Sequence, residues 1–332
     1  MEKVTRRTAL LTVGSLGLTV QATADTLLPR LWAAIEYLDQ RQTFTAWTPG
    51  ALQAHGIDLK FDEVDLAQTA LIEPSNWAKV IMAASALGLD PRNFLGRNLV
   101  EELMSQLNSI GLTTNAYAWG IIALRSLGMP VSFPLLRDCR DRLIGSQSIE
   151  LGWGADPLEP NSNDTAAVLL ALSNMGLDQT VPVVRQGITA LCSYQRADGG
   201  FALGHDLESD ACSDAWALAA FNRLGIDPST IVYQSGGPNA IDHLVGLQAE
   251  DGSFNFQHSQ PGNKRLGSVV TAFALVALAG QSWPTTFGNQ PDPDPEIPKV
   301  PMLGNWGKLA LTASLAISGP LFLARWRERR CQ

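Results

Sequence analysis

The sequence predicts an all-α fold of repeated helical hairpins, in which an inner ring of buried helices is wrapped by an outer ring of half-exposed ones. Three observations predict it. Segments with a single apolar stripe alternate with segments that are apolar around most of their circumference. Each of the second kind ends at a glycine, the residue that most easily forms a left-handed C-terminal cap. Three of the hairpins carry the same glutamine–glycine–aromatic turn between their two helices.

Taken in order, a first hairpin pairs 31–40 with 77–88 across a long insertion. The second places an outer stripe of Leu99, Leu103, Leu107 and Ile110 before an inner helix over 115–128. The third closes its outer helix with Gln147-Ser-Ile-Glu-Leu-Gly152-Trp153 and continues into an inner helix over 164–176. In the fourth, the stripe Val184, Ile188, Leu191 leads to Gln195-Arg-Ala-Asp-Gly199-Gly200-Phe201 and an inner helix over 214–225. The fifth runs through Gln248-Ala-Glu-Asp-Gly252-Ser253-Phe254 to an inner helix over 267–280. About five hairpins are therefore expected. Aromatic residues recurring at repeat spacing are core residues by default, so Trp153, Phe201 and Phe254 are expected to pack in the seams between hairpins. The glutamine amides are expected to bond free backbone at the helix ends.

These turns resemble the QW motif of triterpene cyclases, and residues 30–283 resemble the α/α-toroid superfamily of squalene-hopene cyclases and protein prenyltransferase β subunits. The resemblance implies an α/α toroid and, for an active member, isoprenoid chemistry. Cyclases of this superfamily protonate their substrate with an Asp-x-Asp-Asp motif, since an isolated alkene needs a strong, preorganised acid. The chain contains neither that motif nor Asp-Asp-x-x-Asp. Gly199-Gly200-Phe201, then Asp210-Ala-Cys212, is similar to the segment of prenyltransferase β subunits whose Asp and Cys bind zinc. The third ligand there is a His on a later inner helix, a position that holds none here; His258 lies just before that helix. A zinc site needs at least three protein ligands, so no cofactor is favoured, with Asp210, Cys212 and His258 as the candidates if zinc is held. The alternative for these residues is an N-capping Asp210 and a buried Cys212.

Both ends read as addresses. Arg6-Arg7 precedes a mildly apolar stretch and Ala22-Thr23-Ala24, the order of an export signal of the twin-arginine or general secretory kind over 1–24. A proline- and aspartate-rich linker over 286–299 follows the toroid domain of 25–285. Beyond it, Val300-Pro-Met-Leu303 and Asn305-Trp-Gly307 precede the apolar run 309–324 and the basic stretch Arg325-Trp-Arg-Glu-Arg-Arg330. Counting Trp306 and Trp326, this helix approaches the ~30 Å of a bilayer core, and the arginines favour a cytoplasmic end. The region 300–332 resembles bacterial IPTL-type C-terminal sorting signals, which implies membrane anchorage; an ordinary single-span anchor is the alternative.

The net charge of −8 is carried by the centre of the chain, both ends being basic. So acidic a domain excludes nucleic acid as a partner through its general surface. The expected protein is exported and held at the cell membrane or envelope by its C-terminal helix. It is expected to bind an apolar small molecule or an envelope protein without cyclase chemistry, with Trp77, Tyr117, Trp119, Trp216 and Phe273 as candidate lining residues. The alternatives are an isoprenoid-type enzyme, cyclase or zinc prenyltransferase-like, and a carbohydrate-active α/α toroid.

Overall fold

A computed structural model describes residues 20–285, apart from 110, 157 and 261–265. The linker, the predicted membrane helix and most of the predicted export signal lie outside these residues. Among those described, no helix is long and apolar enough to cross a membrane.

Twelve α-helices are found among the described residues, and they pair as six hairpins. The outer members are α1 (Val20–Leu38), α3 (Glu63–Ala67), α5 (Leu99–Leu107), α7 (Pro134–Gly145), α9 (Pro182–Ser193) and α11 (Ala240–Gly246). The inner members are α2 (Thr48–Gln53), α4 (Pro74–Ala86), α6 (Thr114–Ser126), α8 (Ser162–Asn174), α10 (Ala211–Leu224) and α12 (Gly267–Leu278). Each inner helix packs on the next, and α12 packs on α2, so the inner ring closes.

This corrects the expectation of about five hairpins. The stretch between residues 40 and 74 is not an insertion within one hairpin; it holds α2 and α3, so α1 pairs with α2 and α3 with α4. Helices of six and five residues are too short to display a 3.6-residue period. Moreover, α2 opens Thr48-Pro49-Gly50, a sequence that reads as a turn. Its glycine answers a packing demand, since a Cβ on Gly50 would lie 2.6 Å from the Trp283 ring.

Local chemistry sets the helix ends. Proline occupies the first turn of α2, α4, α7 and α9, where its missing N–H removes no intrahelical bond. Asn161 and Asp210 cap α8 and α10 by accepting from Asp164 N and Ser213 N. The inner helices are buried almost throughout, as 165–172 of α8 are, whereas α5 buries only Leu99, Val100, Leu103 and Leu107.

The three glutamine turns staple neighbouring hairpins. Each glutamine Nε2 donates to a carbonyl of its own turn and to one of the following hairpin. Gln147 bonds Leu151 O (2.8 Å) and Val183 O (3.1 Å), and Gln195 bonds Gly199 O and Ile231 O (both 2.9 Å). Gln248 bonds Gly252 O (3.1 Å) and Arg30 O (2.8 Å), which joins the last hairpin to the first helix. Gly252 is needed at this junction: its φ is +88°, and a Cβ would stand 2.1 Å from Ala33 O. The aromatic residues Trp153, Phe201 and Phe254 are fully buried beside these staples.

Because the inner helices run parallel, the outer-to-inner connections gather at one end of the ring. The inner helices end at the other. There Asn222 Nδ2 donates to Ala277 O and Gln281 O (3.0 Å each), and Asn174 Nδ2 to Trp283 O (3.3 Å). The segment after α12 is thereby laid across that end.

Candidate functional site

Three of the five sequence-predicted lining residues meet in the lumen. Trp119, Trp216 and Phe273, from α6, α10 and α12, form an edge-to-face cluster with ring centroids 5.0 Å (Trp119–Trp216) and 4.3 Å (Trp216–Phe273) apart. At its centre lies Trp47, the residue before α2, between 4.9 and 5.7 Å from Trp119, Trp216, Phe273 and Trp283. Such spacings are those of favourable aromatic pairs. None of the five rings is more than 8% exposed, so the chain fills its lumen with its own side chains.

Trp77 and Tyr117 lie elsewhere. Trp77 Nε1 donates to Glu102 Oε2 (2.8 Å), tying α4 to α5. The Tyr117 ring lies under the Arg142 guanidinium, 5.5 Å away, beside an open cleft of 370 Å³ between the α5–α6 connection and the end of α7. Sequence reasoning missed Trp47 and Trp283, which sit in connections, and Lys79, whose ammonium stands 5.7 Å over the Trp47 ring. Burial pulls the Lys79 pKa down against the opposing charge of Glu73.

A second constellation lies between the fifth and sixth hairpins, around α10 and α11. In two turns the backbone N–H of the aromatic residue donates to an inner-helix threonine: Trp153 N to Thr165 Oγ1 and Phe254 N to Thr271 Oγ1, both 3.0 Å. In the third the acceptor is a carboxylate, with Phe201 N donating to Asp214 Oδ1 at 2.6 Å. The other oxygen, Asp214 Oδ2, accepts from His243 Nδ1 of α11 at 2.6 Å. His243 Nε2 faces Ser209 Oγ at 3.2 Å, and that hydroxyl donates to Asp198 Oδ2 at 2.5 Å. The serine proton is thus directed at a carboxylate, and His243 is the donor at both nitrogens. This is the pattern of an imidazolium held among acids rather than of a base activating a nucleophile.

The shift of the histidine agrees with this, while burial of the aspartate works against it. Burial lowers the His243 pKa, but the Asp214 hydrogen bond and the charges of Asp214, Asp198 and Asp210 outweigh it, leaving the pKa above its ordinary value. Burial raises Asp214 to about 6 against the bond and charge of His243.

Asp210 is engaged as the cap of α10. Asp210 accepts from Ser213 N (2.9 Å) and Ser213 Oγ (2.7 Å), and burial raises its pKa. Burial and the two neighbouring aspartates push the Cys212 thiol up. His258 meets the ring of His243, 5.2 Å between centroids. Among the described residues no three His, Cys, Asp or Glu are grouped as a metal site.

No family model matches the chain. Over 105 residues it is 34% identical to a drimenyl diphosphate synthase of Streptantibioticus cattleyicolor, a stretch covering 30% of this chain and 19% of that protein. The chain thus spans less than a fifth of that relative's length. The type II terpene cyclase MstE from Scytonema superposes with a TM-score of 0.55 at 14% identity, covering 77% of this chain and 98% of that one. Haptocorrin in complex with Cbi superposes with a TM-score of 0.50 at 12% identity, covering 82% and 71%. At these identities the superpositions establish the fold alone.

Proposed function

We propose that this chain, an α/α toroid of the terpene-cyclase-like kind by fold, is an envelope binding protein without cyclase chemistry that recognises a partner with an end face of its ring. The observation that carries the reading is the filled lumen. A polyene folds for cyclisation inside an apolar chamber. Here that space is taken by Trp47, Trp119, Trp216, Phe273 and Trp283, each nearly inaccessible to solvent. The missing Asp-x-Asp-Asp acid points the same way. Arg6-Arg7 with the apolar stretch after it, and the apolar run 309–324 with its basic end, support export and anchorage.

Incubation of the purified protein with farnesyl and geranylgeranyl diphosphate, with and without magnesium, tests the chemistry. Extracts are expected to contain only unreacted substrate; a cyclised or ionised product detected by mass spectrometry would overturn the reading. Fractionation after alkaline washing tests the location, with the mature domain expected in the membrane pellet and a wholly cytosolic, unprocessed protein as the opposing result. The isoprenoid-enzyme reading has one observation in its favour, the 34% identity to a drimenyl diphosphate synthase. It requires the aromatic cluster to part and admit substrate, which the same incubation detects.

A further inference from the structure

Three outer-to-inner connections of the ring carry an exposed branched apolar residue followed directly by an exposed glutamate, and one of them carries the pair twice. The pairs are Ile72-Glu73 before α4, Ile149-Glu150 and Leu158-Glu159 between α7 and α8, and Leu207-Glu208 between α9 and α10. The apolar members are 79%, 68%, 83% and 53% exposed. Leu203 and Leu266, also exposed, belong to the same end. Large apolar residues brought together in solvent mark an interaction surface when they share one face, and most of those exposed on this domain do so. None of the four glutamates forms an ion pair with a described residue.

The loops are held as a platform. Ser162 N donates to Leu203 O (3.1 Å), Ala211 N to Phe256 O (2.9 Å), Tyr194 Oη to Pro160 O (2.8 Å) and Ser259 Oγ to Glu208 Oε2 (2.8 Å). The described chain leaves the ring after Trp283, at the opposite end.

Resting on the binding-toroid reading, we infer that this face docks a cationic amphipathic segment of another protein. The apolar tips take its apolar side, and the glutamates beside them take its Lys or Arg side chains. Charge argues against the other occupants. A second copy would set these glutamates against one another, and they would repel an anionic lipid surface.

The probe is a fluorescent synthetic leucine–lysine peptide that forms an amphipathic helix, titrated by anisotropy against the full chain at low and physiological salt. Three variants are compared. One is Glu150→Lys, Glu159→Lys, Glu208→Lys; another is Ile149→Ser, Leu158→Ser, Leu207→Ser. The third, Glu36→Lys, Glu101→Lys, Asp141→Lys, makes the same charge change on the outer wall. All positions are exposed, and thermal melts check that each variant is folded.

The two face variants are expected to lose affinity about tenfold or more, the apolar one at physiological salt as well, while the wall variant stays within about threefold. Three results overturn the inference: no binding by the parent at low salt, an equal loss in the wall variant, or an unchanged affinity in the apolar variant. Tight association with zwitterionic phosphatidylcholine vesicles through Ile149, Leu158 and Leu207 would also overturn it, making the face a lipid surface. Failure here is separable from failure of the functional reading. A chain that binds peptide yet converts farnesyl diphosphate refutes only the latter, and one that does neither refutes only the docking inference.

Discussion

Replacing Asp214 with threonine separates the two bonds its carboxylate makes. Thr165 and Thr271 already hold the equivalent aromatic N–H groups at 3.0 Å, so Asp214→Thr is expected to keep the bond from Phe201 N and lose the one from His243. Removing one partner of a buried ion pair costs about 3 to 5 kcal/mol. The lower end applies here, because Asp198 and Ser209 remain beside His243 Nε2 and the imidazole can also release its proton. Asp214→Ala is expected to cost about 1 to 3 kcal/mol more, as the buried Phe201 N–H is then left unpaired.

The pH dependence follows from the signs of the shifts. His243 has a folded pKa above its ordinary value, so its contribution is fully present below the unfolded pKa and is lost as pH rises through the folded one. Asp214, raised to about 6 from an unfolded value of 3.8, also binds its proton more tightly in the fold, and that contribution declines as pH rises through 6. Both terms fall with rising pH; the threonine variant lacks the Asp214 term and the part of the His243 term that Asp214 supplies. Urea denaturation at pH 5.5 and pH 9 is therefore expected to show the larger deficit at pH 5.5 and a flatter pH profile in the variant. An equal deficit at both pH values, or a threonine variant less stable than the alanine one, would refute the imidazolium clamp.

Two further substitutions test the ring itself. Trp47→Ala should cost about 3 to 5 kcal/mol by emptying the centre of the aromatic cluster, and added indole should raise the melting temperature of this variant but not of the parent; a variant that melts like the parent would mean the lumen is not packed around Trp47. Gln195→Ala leaves two carbonyls short of a donor at a fully buried amide and should cost about 1 to 3 kcal/mol, whereas Gln248→Ala should cost less, because its amide is only half-buried and water can replace it. Equal losses in denaturant midpoint for the two glutamine variants would show that burial does not set the strength of the staple.

The last three hairpins were legible in the sequence because their inner helices run for three turns or more and their turns repeat glutamine, glycine and aromatic residue at fixed spacing. The first two were not. The short helices α2 and α3 are fixed by tertiary packing, α2 lying against α12, α4 and the Trp283 ring, and such packing leaves no period to read. The same division runs through the lumen. Trp119, Trp216 and Phe273 could be found because they recur on inner helices, while Trp47 and Trp283 enter from connections and carry no periodic signal.

His243 was missed for a different reason, and a signal for it was present. The resemblance directed attention to a histidine on an inner helix, but the three aligned turns place Thr165, Asp214 and Thr271 at the position that bonds the aromatic N–H. A threonine hydroxyl completes that task by itself. A carboxylate there brings a second oxygen into a site with no access to solvent, and that oxygen requires a donor of its own. The donor is His243, and space for its ring depends on Gly200, where a Cβ would stand 2.4 Å from Nδ1. Aspartate at 214, histidine at 243 and glycine at 200 therefore form one interdependent set: a side chain at 200 displaces the imidazole, and displacing the imidazole strands the buried charge of Asp214.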